Sequence, residues 1–259
     1  MWYQLKQYLA FRKKSVNAHG LHSPFMYNLA TKCFYDKTKY SDYKTLKHYH
    51  KQLLKNTEVI LVKDFGAGSK KMHSPTRRLR DIALVAGSSY ADMKRLYRLS
   101  KYFKPNSILE LGTSLGKSAF AMALGNPNTY VITVEGDSKI ADIAKKMWRK
   151  FKLENVEVYN QKFDDFIDDL NRSNQKFDMI FLDGHHQYEP TIRYFEKLQQ
   201  HIHNDTIVML DDIYWSDEMQ QAWQDLKRHK NVKQSIDTYH FGILFFRKGQ
   251  FKQNFTIRL

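Results

Sequence analysis

Residues 107–118, SILELGTSLGKS, decide how this chain is read. A short apolar run meets Gly112-Thr113-Ser114-Leu115-Gly116, and a helix-forming stretch, KSAFAMALG, begins at once. A strand leading into a glycine turn and then a helix offers unpaired backbone amides where a polar ligand can approach closely. The next apolar run, TYVITV, ends at Glu135-Gly136-Asp137. A carboxylate at the end of the neighbouring strand, roughly 20 to 25 residues on, suits ribose hydroxyls. The full G-x-G-x-x-G is absent, because Ser114 stands where its second glycine would be. That argues against a dinucleotide such as NAD.

A second stretch imitates the first. EVILVKDFGAGS, residues 58–69, is again an apolar run meeting glycines. Its sequel is KKMHSPTRRLR, with Pro75 and five cations where a helix should open. Asp81 falls inside the helix-like RDIALVAG, so no strand-end acid follows at the right distance. Two readings of DFGAGS stay open: a cap or substrate loop at a site mouth, or a plain surface turn.

Downstream, VEVY, FDMIFLD and TIVMLDD begin near 156, 177 and 206, with helix-like segments between them. Short, continuously apolar runs alternating with helices predict a doubly wound α/β fold, its parallel strands joined by right-handed crossovers. VKQSIDTY and HFGILFFRK have almost nothing between them, so the sheet is expected to end in an antiparallel strand. Residues 1–80 read as a basic, mainly helical N-terminal region and 81–259 as the α/β domain.

The 259 residues can bury a sizeable core, and 42% hydrophobic with 27% charged residues is ordinary for a globular protein. No run of about 18 apolar residues exists, which predicts no membrane span. MWYQLKQYLAFRKKS lacks the pattern of a secretory signal. It fits an amphipathic helix whose Trp2, Leu5, Tyr8 and Leu9 are expected to pack onto the body rather than to meet a membrane. The single cysteine, Cys33, excludes an intrachain disulfide and fits a reducing, cytoplasmic setting. The net charge of +15 is uneven: residues 1–104 hold 22 Lys and Arg against 6 Asp and Glu, and residues 105–259 hold 20 against 21. A basic N-terminal part could meet an anionic small molecule or nucleic acid, or be a solvated face.

E-L-G-T-x-x-G followed by V-E-G-D resembles the S-adenosylmethionine site of class I methyltransferases, over about 105–247. The resemblance implies a Rossmann-like methyltransferase sheet. Glu110 would lie beside the loop, and Gly112, Thr113, Ser114 and Gly116 would line the methionine part. Glu135, with Gly136, would take the ribose, while Lys162 and Phe163 would flank the adenine; Phe163 is equally a core residue.

FDMIFLD ends in Asp183-Gly-His-His-Gln-Tyr188, and TIVMLDD ends in Asp211-Asp212. Carboxylates converging from strand ends repel unless a proton or cation sits between them, and Mg²⁺ suits oxygen ligands. The pattern resembles catechol- and caffeoyl-CoA-type O-methyltransferases, and its D-G-x-H-x-Y form resembles sugar O-methyltransferases. Carried over, Asp183, Asp211 and Asp212 are candidate metal ligands, with Asp183 also at the cofactor. The position of the family's catalytic lysine is His186, a base suited to neutral pH, and His185 competes with it. Asp211 and Asp212 could instead cap the following helix.

The function expected from the resemblance is methyl transfer to a hydroxyl of a small or sugar-like acceptor, with Mg²⁺ assistance open. Aromatic residues interleaved with cations in KCFYDKTKYSDYKTLKHYHK leave an RNA acceptor as the alternative, and a non-catalytic binding module on this scaffold as another. A homodimer is compatible with the sequence.

Overall fold

A computed structural model describes residues 2–63 and 74–259; the DFGAGS stretch at 64–69 lies outside them. In chain order the helices are α1 (Trp2–Lys14), α2 (Pro24–Leu29), α3 (Asp42–Lys55), α4 (Leu79–Val85), α5 (Tyr90–Phe103), α6 (Lys117–Gly125), α7 (Ser138–Lys150), α8 (Phe163–Leu170), α9 (Tyr188–Lys197) and α10 (Asp217–Arg228). The strands are β1 (Val59–Leu61), β2 (Thr76–Arg78), β3 (Ser107–Leu111), β4 (Tyr130–Val134), β5 (Val156–Tyr159), β6 (Met179–Leu182), β7 (Ile207–Asp211), β8 (Gln234–Asp237), β9 (Phe241–Phe245) and β10 (Gln253–Thr256). They form two compact units, Lys37–Leu170 and Met1–Asp36 with Asn171–Leu259.

In the Lys37–Leu170 unit, β3, β4 and β5 pair in parallel. β3 and β4 are buried apart from their first residues, as strands covered on both faces should be. Ser89 caps α5, its hydroxyl accepting from the Asp92 amide. Met93, Leu96, Tyr97 and Ser100 make its buried stripe. α5 lies so close to α6 that a Cβ on Gly125 would sit 2.4 Å from the Tyr97 carbonyl oxygen. α7 starts at Asp137, whose carboxylate accepts from the Ile140 amide at 2.9 Å. It buries Ile140, Ile143, Ala144 and Trp148.

In the other unit the strand order is β10-β8-β9-β7-β6. β6 and β7 run parallel, β9 is antiparallel to both β7 and β8, and β10 returns parallel to β8. The expected antiparallel strand is therefore β9, and it sits inside this order rather than at its edge. β6, β8 and β9 are wholly buried. Residues 1–36 join this unit through α1 and through a parallel bridge from Val16 to Ile257.

α1 does not pack as its hydropathy suggests. Trp2, Leu5 and Leu9 are exposed at 85, 51 and 54%, whereas Tyr8, 39% exposed, meets the Tyr239 ring edge-on at 5.0 Å and Phe11 is buried. Tyr3, Gln7, Phe11 and Lys14 make the docking face instead. Polar partners, Gln220 for Tyr3 and Tyr214 for Lys14, hold that face in place.

Candidate functional site

The loop after β3 is shaped by left-handed backbone. Gly112, Ser114 and Gly116 have φ of 112°, 47° and 70°. Glycine is required at Gly116 twice over: the backbone is left-handed, and a Cβ would lie 2.6 Å from the Trp148 ring. The Trp148 indole N–H donates to the Gly116 carbonyl at 3.2 Å, so α7 fixes the N-cap of α6.

Glu135 stands just past β4, one carboxylate oxygen accepting from the Ser114 amide at 2.9 Å and the other from the Asp137 amide at 3.0 Å. Burial pushes its pKa up, while these backbone donors pull it down. The Asn160 side chain donates to the carbonyls of Glu135 and Gly136, tying the end of β5 to this turn. Lys162 is exposed and Phe163 half-buried at the start of α8. The loop glycines, Ser114 and Glu135 are thus assembled at the carboxyl ends of β3 and β4.

Glu110 lies inside β3 with no exposed surface. The Thr133 hydroxyl bonds one of its oxygens at 2.5 Å and meets the Thr113 hydroxyl at 2.7 Å. Its other oxygen is buried without a hydrogen-bond partner. Burial raises the Glu110 pKa to about 7 against the ordinary 4.5, opposed by the nearby Ser118 hydroxyl and the Thr133 hydrogen bond. A buried acceptor with spare capacity beside a glycine loop fits a polar ligand there.

Sequence reasoning missed a polar group next to this loop. Lys117, 2% exposed, donates its ammonium to the Ala83 carbonyl at 2.9 Å. Burial, then the nearby Lys117 charge, lowers the pKa of His50 on α3. Ser88 has a buried hydroxyl without a partner. Nothing in the spacing of His50 and Lys117 announces that they interact.

In the other unit, His186 Nε2 lies 3.7 Å from an Asp183 carboxylate oxygen. The Asp183 side chain is 7% exposed and that of His186 25%. Burial lowers the His186 pKa, and the Asp212 carboxylate opposes the shift. The Trp215 ring flanks His186 at 6.4 Å. His185 instead meets Tyr194, its Nδ1 3.4 Å from the phenol oxygen and the rings edge to face. His185, His186 and Asp212 are non-glycine residues with φ of 64°, 26° and 54°. Ser216 caps α10, accepting from the Met219 amide at 3.2 Å, so neither Asp211 nor Asp212 does that work. Among the described residues no group of three or more His, Cys, Asp or Glu is arranged to hold a metal ion. Asp183, Asp211 and Asp212 as placed do not fit a ready Mg²⁺ site.

Residues 109–213 match the family described as Methyltransferase domain. The fold is shared with solved structures at low sequence identity. An SAH-bound methyltransferase of Podospora anserina, PaMTH1, superposes with a TM-score of 0.60 at 13% identity, over 88% of this chain and 97% of that one. The O-methyltransferase TomG of Streptomyces achromogenes, involved in tomaymycin synthesis and bound to SAM, gives 0.58 at 17% identity over 81% and 91%. An O-methyltransferase of Bacillus cereus in complex with SAH gives 0.56 at 18% identity over 83% and 98%. Residues 109–213, which hold the glycine loop and the Glu135 turn, thus match a methyltransferase domain, and the chain shares the α/β fold of these methyltransferase structures.

Proposed function

We propose that the protein transfers the methyl group of S-adenosylmethionine to a hydroxyl oxygen of a small or sugar-like molecule, with His186 as the base. The observation that carries this reading is the His186–Asp183 pair at a strand end, in a chain whose other strand ends present Glu135 and a glycine loop. When bound, the sulfonium cofactor supplies an activated methyl group, and the protein's work is to position and to move a proton. Gly112, Thr113, Ser114 and Gly116 would hold the methionine part, Glu135 and Gly136 the ribose, and Lys162 and Phe163 the adenine.

His186 takes the acceptor's hydroxyl proton. Its lowered pKa keeps the ring neutral, and so able to accept, at neutral pH. With Nε2 toward Asp183, Nδ1 is the nitrogen that receives the proton. The Asp183 carboxylate then stabilises the imidazolium. His185, engaged with Tyr194, orients the turn. No step runs through Mg²⁺.

RNA is the second reading of the acceptor, favoured by Lys44, Lys47, Lys51 and Lys55, which are exposed along one side of α3. A cytoplasmic location and a homodimer complete the proposal.

The test is calorimetric titration of S-adenosylhomocysteine into wild type and Glu135→Ala, followed by labelled-methyl transfer to catechols, sugars and RNA with and without Mg²⁺. Glu135→Ala should weaken binding at least about tenfold, or ~1.4 kcal/mol. Transfer to a hydroxyl compound without added metal supports the reading. Binding without transfer to any hydroxyl compound overturns the O-directed assignment, and transfer confined to RNA moves it to the second reading. Failure of wild type to bind supports a non-catalytic module.

A further inference from the structure

Helix α1 has two chemically different faces, and one of them meets the protein. On the docked face the Tyr3 hydroxyl donates to Gln220 at 3.0 Å, and Gln220 donates to Gln7 at 3.1 Å. Lys14 reaches the Tyr214 hydroxyl at 3.1 Å, and Phe11 packs against the Tyr214 and Tyr239 rings. On the opposite face Trp2, Leu5 and Leu9 are more than half exposed. At 3.6 residues per turn these three fall within a sector of about 60°. Lys6 and Lys13 border it on one side and Arg12 on the other, all exposed.

Apolar side chains cost free energy in water, and here the protein itself leaves three of them uncovered. The rim identifies what covers them. α1 itself carries no Asp or Glu, so the helix's own charges bordering the stripe are all positive. A second copy meeting the same stripe by two-fold symmetry would set cations against cations, with no acid on either helix to answer them. An anionic bilayer answers both features: acyl chains and headgroups accept Trp and Leu, and lipid phosphates attract the rim. A helix of 13 residues, about 20 Å long, is suited to lying in the interface plane.

We propose that α1 docks the protein onto an anionic lipid surface through Trp2, Leu5 and Leu9, with Lys6, Arg12 and Lys13 as its electrostatic rim. α1 rests on Tyr214 and Tyr239, which follow the carboxyl ends of β7 and β8. Docking therefore brings that end of the strands near the lipid. The inference stands apart from the methyl-transfer chemistry and does not need it.

The experiment is flotation of the full chain with vesicles of phosphatidylcholine alone and of equal parts phosphatidylcholine and phosphatidylserine. Two variants accompany wild type: W2S/L5S/L9S and K6E/R12E/K13E, all at exposed positions. Circular dichroism and thermal melting check that both remain folded. Wild type should float with the anionic vesicles, less so as salt rises, and each variant should lose about tenfold or more in partitioning. Three outcomes overturn the proposal. The first is flotation of wild type with neither vesicle; the second is flotation of the variants as well as wild type, which would place binding elsewhere; the third is a dimer in sedimentation that W2S/L5S/L9S converts to monomer without vesicle binding, making the stripe a seam between copies.

Discussion

The turn after β3 and the turns after β6 and β7 meet one requirement, a sharp change of direction at a strand's carboxyl end, with different residues. The first places glycine at φ 112° and 70°, and Ser114 at 47° gives its amide to Glu135. The others put His185, His186 and Asp212 in left-handed backbone, at about 1–2 kcal/mol for each such residue. Where a ligand must come close to the backbone, a missing side chain is the useful property. Where a side chain must be aimed, the protein keeps the side chain and carries the strain, a common arrangement at functional sites.

Four substitutions test this contrast. The largest effect is expected for His186→Gln, which keeps bulk and polarity but removes the proposed base. The rate constant kcat should fall about 100-fold or more while affinity for S-adenosylhomocysteine is unchanged. A fall in affinity with kcat preserved would make His186 a binding residue and dissolve the division between the two regions. In wild type the acid limb of kcat against pH should lie below the ordinary histidine value of 6.5, because burial lowers the His186 pKa.

Gly116→Ala comes next. The added Cβ overlaps the Trp148 ring and forces a residue with a side chain into left-handed backbone. Chemical denaturation should show a loss of about 3 kcal/mol. A loss under about 1 kcal/mol would mean that α7 yields easily and that the loop is less fixed than its hydrogen bonds imply.

Glu110→Gln probes the buried carboxyl. Its native pKa, raised to about 7, means that the folded state holds a proton the unfolded state releases near 4.5. That contribution to stability is present in full below the unfolded value and is lost as pH rises through about 7, at most ~3 kcal/mol. Wild type should lose stability between about pH 5 and pH 8 more steeply than Glu110→Gln. Parallel curves would show that Glu110 does not hold its proton.

The smallest effect belongs to His185→Gly. Relief of left-handed strain is offset by glycine's greater freedom when unfolded and by the lost contact with Tyr194, so the net change should stay within about 1 kcal/mol. A loss of about 2 kcal/mol or more would show that the imidazole is chiefly structural.

Much of the α/β domain was legible because its residues carry local signals. The apolar runs at 107, 129, 156, 177 and 206 are β3 to β7, and KSAFAMALG is α6 residue for residue. The glycine loop was legible because strand, glycines, helix and distant acid constrain one another. β10 was not: QNFT is polar and partly exposed, and its pairing with β8 is a tertiary event. The hydropathy of α1 gave its periodicity but not its outcome, because Tyr3 and Gln7 dock through hydrogen bonds that hydropathy does not weigh. The choice between Asp212 and Ser216 as helix cap turned on backbone angles at 211–216, beyond the reach of residue types. The joining of 1–36 to 171–259 is equally invisible in a linear reading.

That joining sets a timetable. The Val16 amide donates to the Thr256 carbonyl, the Arg258 amide donates back to Val16, and the Tyr35 hydroxyl reaches the Arg258 carbonyl. On a ribosome adding about 5–20 residues per second, these partners emerge roughly 11–48 s apart. Residues 37–170 can be complete well before then, while the first 36 wait for the strand that receives them. For that interval a chaperone would find Phe11, Met26 and Leu29, all buried in the finished unit, still in the open.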